Sequence, residues 1–267
     1  MESSRTKSPE RAYHFALFGK RCRHVAAEME GIAKQFSLYC EEAELDPDLL
    51  RMTSAPRPWA EIPSLADLKY LLAAPNSDCT RALHLLFDGQ SGLKYINSEL
   101  RAKNFVELAT ENHLLYVMLH HYQKVDVDWL TAKGIVTIVS GIVEFVQPAQ
   151  ILVLSDIYNH EAAAFGHYGV DESAAALALV EMNWLRFSPT LLTSAEASYF
   201  NYFLNKSEFS DGPDLRNKYA HGTNADPDDV EAHLQSYLQL LRMLISLVLK
   251  INDDFQVSFS KRPPSLP

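Results

Sequence analysis

Residues 211–229, DGPDLRNKYAHGTNADPDD, gather the side chains best suited to chemistry in this chain. Gly212 and Pro213 are expected to open a short helix, with Pro213 at its first position and Asp214 near the positive end of the helix dipole, and Gly222 to close it. Asn217 and His221, four residues apart, then share a face, so the amide can hydrogen-bond to the imidazole and orient it. Arg216 precedes His221 by five residues, about 140° around an ideal helix, and must curl its long side chain to reach the same ligand. At the C-terminal end of that helix the dipole favours a protonated imidazole, a group that can give as well as take a proton near neutrality. One copy makes a loose site, and two copies about a twofold axis would line one cleft with two arginines and two histidines. The competing reading is structural: Arg216 pairs with Asp211 or Asp214 at the surface, and His221 caps a helix.

Arg216 and His221 are the only arginine and histidine at this spacing in the chain. The string Gly212, Pro213, Leu215, Arg216, Asn217, Ala220, His221, Gly222 resembles the R-x(4-6)-H signature of HEPN domains (higher eukaryotes and prokaryotes nucleotide-binding), in a branch that carries GPxLRNxxAHG. The resemblance covers residues 128–254 and extends to nothing in residues 1–125. It implies an all-α dimer and a metal-independent ribonuclease of the toxin–antitoxin, abortive-infection or CRISPR-linked kind. On that reading His221 is general base or acid on the 2′-hydroxyl or the leaving oxygen, Arg216 stabilises charge on the phosphorane, and Asn217 orients His221 or the phosphate. Lys206 and Lys218 would bind RNA. No cofactor is expected, because the ribose supplies the nucleophile and the product is a 2′,3′-cyclic phosphate; the substrate must be RNA, since DNA lacks that hydroxyl. Expected partners are RNA, a second copy, and an antitoxin or defence-system protein. Position 223 is Thr where toxins silenced by nucleotidyltransferases resemble one another in having Tyr, so that mode of control is not expected.

A non-catalytic module that binds RNA or a nucleotide, or serves as an adaptor in a defence complex, is the alternative. Between Lys206 and Lys250 there are five Lys or Arg against seven Asp or Glu, so an RNA groove there has to be assembled by folding or by a partner subunit. Other chemistry is poorly served. His160 and Glu161 begin like HExxH, but Ala164 stands where the second histidine should be. His120 and His121 are adjacent, about 100° apart on a helix, and His167 and Tyr168 have no spaced partner. The P-loop, the dinucleotide-binding glycine pattern and the GxSxG elbow are all missing from the sequence. The acidic run 226–231 reads as a helix start.

The elements that must position these residues read as helices throughout. Phe18, Cys22, Val25, Met29, Ile32, Phe36 and Tyr39 form one stripe on a long helix that docks onto its own domain. Ser64 is expected to cap a helix over 65–74, Ser77 one ending before Gly89, and Leu93, Ile96 and Leu100 to form the next stripe before a helix over 105–123. After a joint at 125–128, residues 128–147 are apolar almost all round and rich in Ile and Val; a buried central helix is expected, with a strand pair as the alternative. Pro148 breaks it, and helices follow over 171–185 and, capped by Ser194, over 195–205. On the last long helix Val230, Leu234, Tyr237, Leu238, Leu241, Leu244, Ile245 and Val248 form the expected core face, while Leu240, Met243 and Leu247 are surplus width available to a dimer. No internal repeat is visible. The expected fold is therefore all-α, a HEPN-type helical bundle over 126–255 with an additional N-terminal helical region over 1–125 and a disordered tail over 256–267.

Composition agrees with an ordinary soluble protein. The 267 residues carry 24 Lys and Arg against 34 Asp and Glu, a net charge of −10, which excludes a chain that coats nucleic acid with its whole surface. Three scattered cysteines and no CxxC fit a reducing cytosol. The polar start MESSRTKSPER and the absence of a run of about 18 apolar residues lead to the expectation of a cytoplasmic protein, neither secreted nor membrane-spanning.

Overall fold

The computed structural model describes residues 9–44, 57–220 and 229–260. Its helices and strands run, in chain order, α1 (Pro9–Glu42), β1 (Tyr70–Ala73), α2 (Cys79–Phe87), α3 (Phe105–Glu111), α4 (His121–Ala132), β2 (Val136–Val139), β3 (Ile142–Phe145), α5 (Pro148–His160), β4 (Ala163–Ala164), α6 (Val170–Glu181), β5 (Leu185–Ser188), α7 (Ser194–Leu204), α8 (Leu215–Ala220) and α9 (Val230–Ser260). The fold is helix-rich, but two small antiparallel sheets, β4–β1–β5 and β2–β3, correct the all-α expectation.

The chain divides into two compact units, one built from residues up to 66 together with those from 189 onward, the other from 67–188. This is not the expected division at 125/126, which falls inside α4, where Val127 is fully buried. Nor does order end at 256: α9 continues to Ser260, with Val257 still buried, and 261–267 lie outside the described residues.

In the first unit α1 follows its stripe. Cys22, Met29 and Phe36 are buried and share one core with Leu240, Met243 and Leu247 of α9. That shifts the expected core face of α9: Leu240, Met243 and Leu247, expected as surplus, are its centre, Tyr237 and Leu244 pack against it partly buried, and Leu238, Ile245 and Val248 are exposed. The buried face also carries His233, Ser236 and Asp254, polar residues that disguise it in the apolar pattern. By length and composition alone α9 is apolar enough to cross a membrane. α7 starts at Thr193, whose hydroxyl accepts from Glu196 N while the Glu196 carboxylate accepts from Thr193 N, so Thr193 and not Ser194 is the cap. Ser64 caps nothing helical: its hydroxyl donates to Asp254 Oδ1 at 2.6 Å and Leu65 N donates to Asp254 Oδ2 at 2.6 Å. The two strands of chain beside it are paired, Ser64 N donating to Pro189 O and Leu191 N to Ile62 O, both at 2.8 Å.

The second unit contains a duplication that the sequence conceals. Residues 105–139 and 154–188 have the same succession of helix end, short strand, 3-10 turn, helix and strand: Tyr116–Met118 and Phe165–His167 are the turns, α4 and α6 the helices, β2 and β5 the strands. A constant offset of 49 relates them, and it carries the hydrogen bonds as well. Ile135 N donates to Leu130 O and Trp184 N to Leu179 O; Gly134 N donates to Thr131 O and Asn183 N to Val180 O. Gly134 and Asn183 both take positive φ, 70° and 57°. Buried residues correspond in turn, Phe105 with Leu154, Leu108 with Ile157, Leu130 with Leu179, and Ile135 with Trp184. The middle strands match too, Leu115 and Val139 flanking Ile142 of β3 as Ala164 and Ser188 flank Tyr70 of β1. In the first copy β3 follows β2 through a two-residue turn, Ser140 and Gly141, at φ 52° and 83°, the tight hairpin that matches strand twist. In the second copy the middle strand comes from the start of the unit. The strand-pair alternative for 128–147 is thus the observed one, and the helices expected over 65–74 and around 93–100 give way to β1 and to a 3-10 turn with the bridge Tyr95↔Arg101.

Candidate functional site

α8 carries the residues singled out from the sequence, and its entry is tightly specified. A Cβ on Gly212 would lie 2.1 Å from the carbonyl oxygen of Tyr202, so only glycine fits there. Asp214 takes φ 52°, its carbonyl accepts from Lys218 N at 2.9 Å, and its carboxylate accepts from Asn217 Nδ2 at 2.9 Å. The helix therefore begins at Leu215, and Pro213 precedes its first position. Asn217 thus holds the start of its own helix. His221 and Gly222 lie outside the described residues. Lys218 rests its ammonium 5.6 Å from the Tyr219 ring centre, and Lys206 is exposed in the turn after α7.

Arg216 pairs neither with Asp211 nor with Asp214. Its Nε meets the carboxylate of Glu30 on α1, and the two stand on the wall of a cavity of about 380 Å³ within the first unit. Lys34 of α1, Arg57, Trp59, Asn201 and Glu208 line the same cavity. Folding thereby supplies the cations that the sequence around Arg216 lacks: Lys34 and Arg57 join Arg216 against the carboxylates of Glu30 and Glu208, in a chain of net charge −10. Arg57 also pairs with Glu41. The polar side is preorganised, with Asn201 Nδ2 donating to Glu208 Oε1 at 2.6 Å, Ser198 Oγ to Glu208 Oε2 at 3.0 Å, and Asn205 Nδ2 to Asn201 Oδ1 at 3.1 Å. On the apolar side Trp59 is fixed against Phe200, ring centres 4.7 Å apart. Chemically, the cavity offers guanidinium and ammonium groups for an anion, an indole for a flat apolar body, and acceptors for donors.

Behind α8 lies a second group of polar residues. The Tyr219 hydroxyl meets His233 Nδ1 at 2.7 Å, both residues are buried, and Cys22 Sγ donates to the His233 carbonyl at 3.7 Å. Burial pushes Tyr219 up to about 12, a coulombic contribution from Cys22 adding to it, and pushes the Cys22 thiol up to about 11. Both stay protonated at neutral pH. With His233 only 1% exposed, the trio cannot meet a dissolved substrate, and its effect is to fasten α8 to α9 and α1.

Sequence reading missed Lys34, Arg57, Trp59, Asn201, Glu208 and His233. Lys34 and Arg57 stand far from Arg216 along the chain, with no spacing to link them, while His233 stands among Glu231, Gln235 and Ser236, where nothing in the pattern sets it apart as buried. Among the described residues no three His, Cys, Asp or Glu gather where they could hold a metal ion. No family model matches the chain, nor does any curated protein or solved structure.

Proposed function

We propose that the chain is a metal-independent endoribonuclease of toxin or antiviral-defence type, as its resemblance to HEPN domains implies. The observation that carries this is the placement of Arg216 on a cavity beside Lys34 and Arg57, where a phosphodiester finds cationic partners. His221 takes the proton of the ribose 2′-hydroxyl as that oxygen attacks phosphorus. The bond to the 5′-oxygen breaks, that oxygen takes a proton from solvent, and a 2′,3′-cyclic phosphate remains, with the proton on His221 returned to solvent. Arg216 stabilises the charge that builds on the phosphorane, which requires it to exchange Glu30 for phosphate. Labelled RNA incubated with the purified chain in EDTA tests the reading: cleavage is expected, and it falls by about 100-fold or more in His221→Ala and Arg216→Ala. Equal cleavage by the parent and His221→Ala rejects it.

The engagement of Arg216 by Glu30 favours a second reading, a module that binds RNA or a nucleotide without cutting it. Salt-dependent binding with no cleavage distinguishes it. A homodimer belongs to the first reading. Leu234, Leu238, Leu241, Ile245 and Val248 recur on α9 at steps of four and three, and Leu238, Ile245 and Val248 are exposed, a seam suited to a second copy. Sedimentation is expected to give about twice 30.1 kDa. If both copies build each site, inactive Arg216→Ala and His221→Ala chains regain activity when mixed. RNA, an antitoxin or other defence partner, and a cytoplasmic setting complete the proposal.

A further inference from the structure

We infer that the cavity beside Arg216 is a base-recognition pocket that holds an unpaired guanine adjoining the phosphate to be cut; this rests on the ribonuclease reading. The pocket joins elements on which the Arg216 motif has no bearing, α1, the segment around Trp59, and α7 with the turn after it. Its volume of about 380 Å³ is at the lower end for ligand pockets and suits one nucleotide. A base removed from its stack needs a flat apolar wall, and Trp59 provides one, held in place by Phe200. The adjoining phosphate needs positive charge, which Lys34, Arg57 and Arg216 provide.

The identity of the base follows from Glu208. A carboxylate only accepts hydrogen bonds and has about four lone-pair sites on two oxygens. Asn201 occupies one site on Oε1 and Ser198 one on Oε2, which leaves each oxygen able to accept again while the group is held in orientation. Two neighbouring acceptors match two neighbouring donors. Guanine alone presents such a pair, its ring N1–H beside its exocyclic amino group. Adenine and cytosine set their amino group beside a bare ring nitrogen, and uracil sets its single N–H between two carbonyls, so each would direct an acceptor at the carboxylate. The mismatch sets a lone pair against a carboxylate that Asn201 and Ser198 hold in one orientation, which cannot turn away to relieve the repulsion.

The test uses the full chain carrying His221→Ala, so that nothing is consumed, titrated with GMP, AMP, CMP and UMP and followed by calorimetry and by the summed fluorescence of its three tryptophans. GMP is expected to bind at least about tenfold more tightly than the other three. Glu208→Gln, which turns one acceptor into a donor, abolishes that preference, and Arg57→Met weakens GMP while leaving guanosine unchanged. Thermal melting establishes that both variants fold, and should Glu208→Gln fail to, the Arg57→Met comparison and the four-nucleotide ranking decide alone. Equal affinity for the four nucleotides, or no binding, overturns the pocket. Cleavage mapping with the active chain separates the two readings. Cuts beside guanine that lose their preference in Glu208→Gln support both; cuts indifferent to base and to Glu208 keep the ribonuclease and overturn the pocket; guanine-selective binding without any cleavage keeps the pocket and overturns the ribonuclease.

Discussion

The two units solve the problem of a core in opposite ways. In the unit spanning 67–188, one frame is used twice, and the same buried positions accept Phe105 or Leu154, Leu108 or Ile157, Ile135 or Trp184. Its buried polar groups serve the backbone: Gln123 Nε2 donates to Gly92 O at 2.7 Å and to Tyr95 O at 2.8 Å, securing a loop. In the other unit side chains also bond side chains far along the sequence, buried Tyr219 with buried His233 and half-buried Ser64 with buried Asp254, and the unit holds the cavity that Arg216 lines. A frame that accepts many apolar fillings constrains shape and little else. Where specific polar pairs are buried at a cost in desolvation, position is being fixed more finely than stability needs, and chemistry is better sought there.

The largest expected effect tests the apolar side of this contrast. Phe105→Ala and its counterpart Leu154→Ala should destabilise the unit by about 3–5 and 2–5 kcal/mol, read from denaturant midpoints; a loss under 1 kcal/mol at either would break the equivalence of the two copies. His233→Ala, which removes one of the partners of the buried Tyr219 hydroxyl and leaves a small cavity, should cost about 1–2 kcal/mol and lower RNA cleavage with it, whereas Tyr219→Phe with full activity would show that this pair fixes nothing of use. Alkali reaches both units. Burial holds the Cys22 and Cys79 thiols at about 11, against 9.0 in the unfolded chain, so the unfolded state loses protons first and stability declines as pH rises from 9 towards 11. Below pH 9 that contribution is complete, and both thiols should resist alkylation until the protein unfolds. Gly141→Ala places a Cβ at φ 83° and should cost about 1–2 kcal/mol. The smallest change is the sharpest test of the duplication: Gly134→Asn copies the residue found at its counterpart, Asn183, and should alter stability by no more than about 0.5 kcal/mol.

Long regular elements were legible. α1, α6, α7 and α9 follow from 3.6-residue periodicity, and Gly212, Leu215 and Arg216 pointed to the segment that forms one wall of the cavity. The hairpin misled because Ile and Val fill both of its strands, leaving no alternation to read, and the decisive sign was Ser140 and Gly141. The duplication was invisible because Leu130 and Leu179 are the only identity across the aligned stretch, so backbone hydrogen bonds, not side chains, preserve it. Half the cavity was out of reach for another reason: Lys34 and Arg57 meet Arg216 only after the chain has closed on itself.

That closure has a consequence for synthesis. Cys22 and His233 touch across 211 positions of sequence, so a ribosome adding about 5–20 residues per second completes α1 roughly 10–40 seconds before its partner helix exists. During that interval the apolar stripe of α1 lacks the helix that covers it in the folded unit. The intervening 67–188 segment emerges whole in the meantime, and once it folds the pairing Tyr70↔Ser188 draws its two ends together. The connection between α1 and α9 is thereby shortened by more than a hundred residues, and part of the entropy of bringing the two helices together is met in advance by the segment inserted between them.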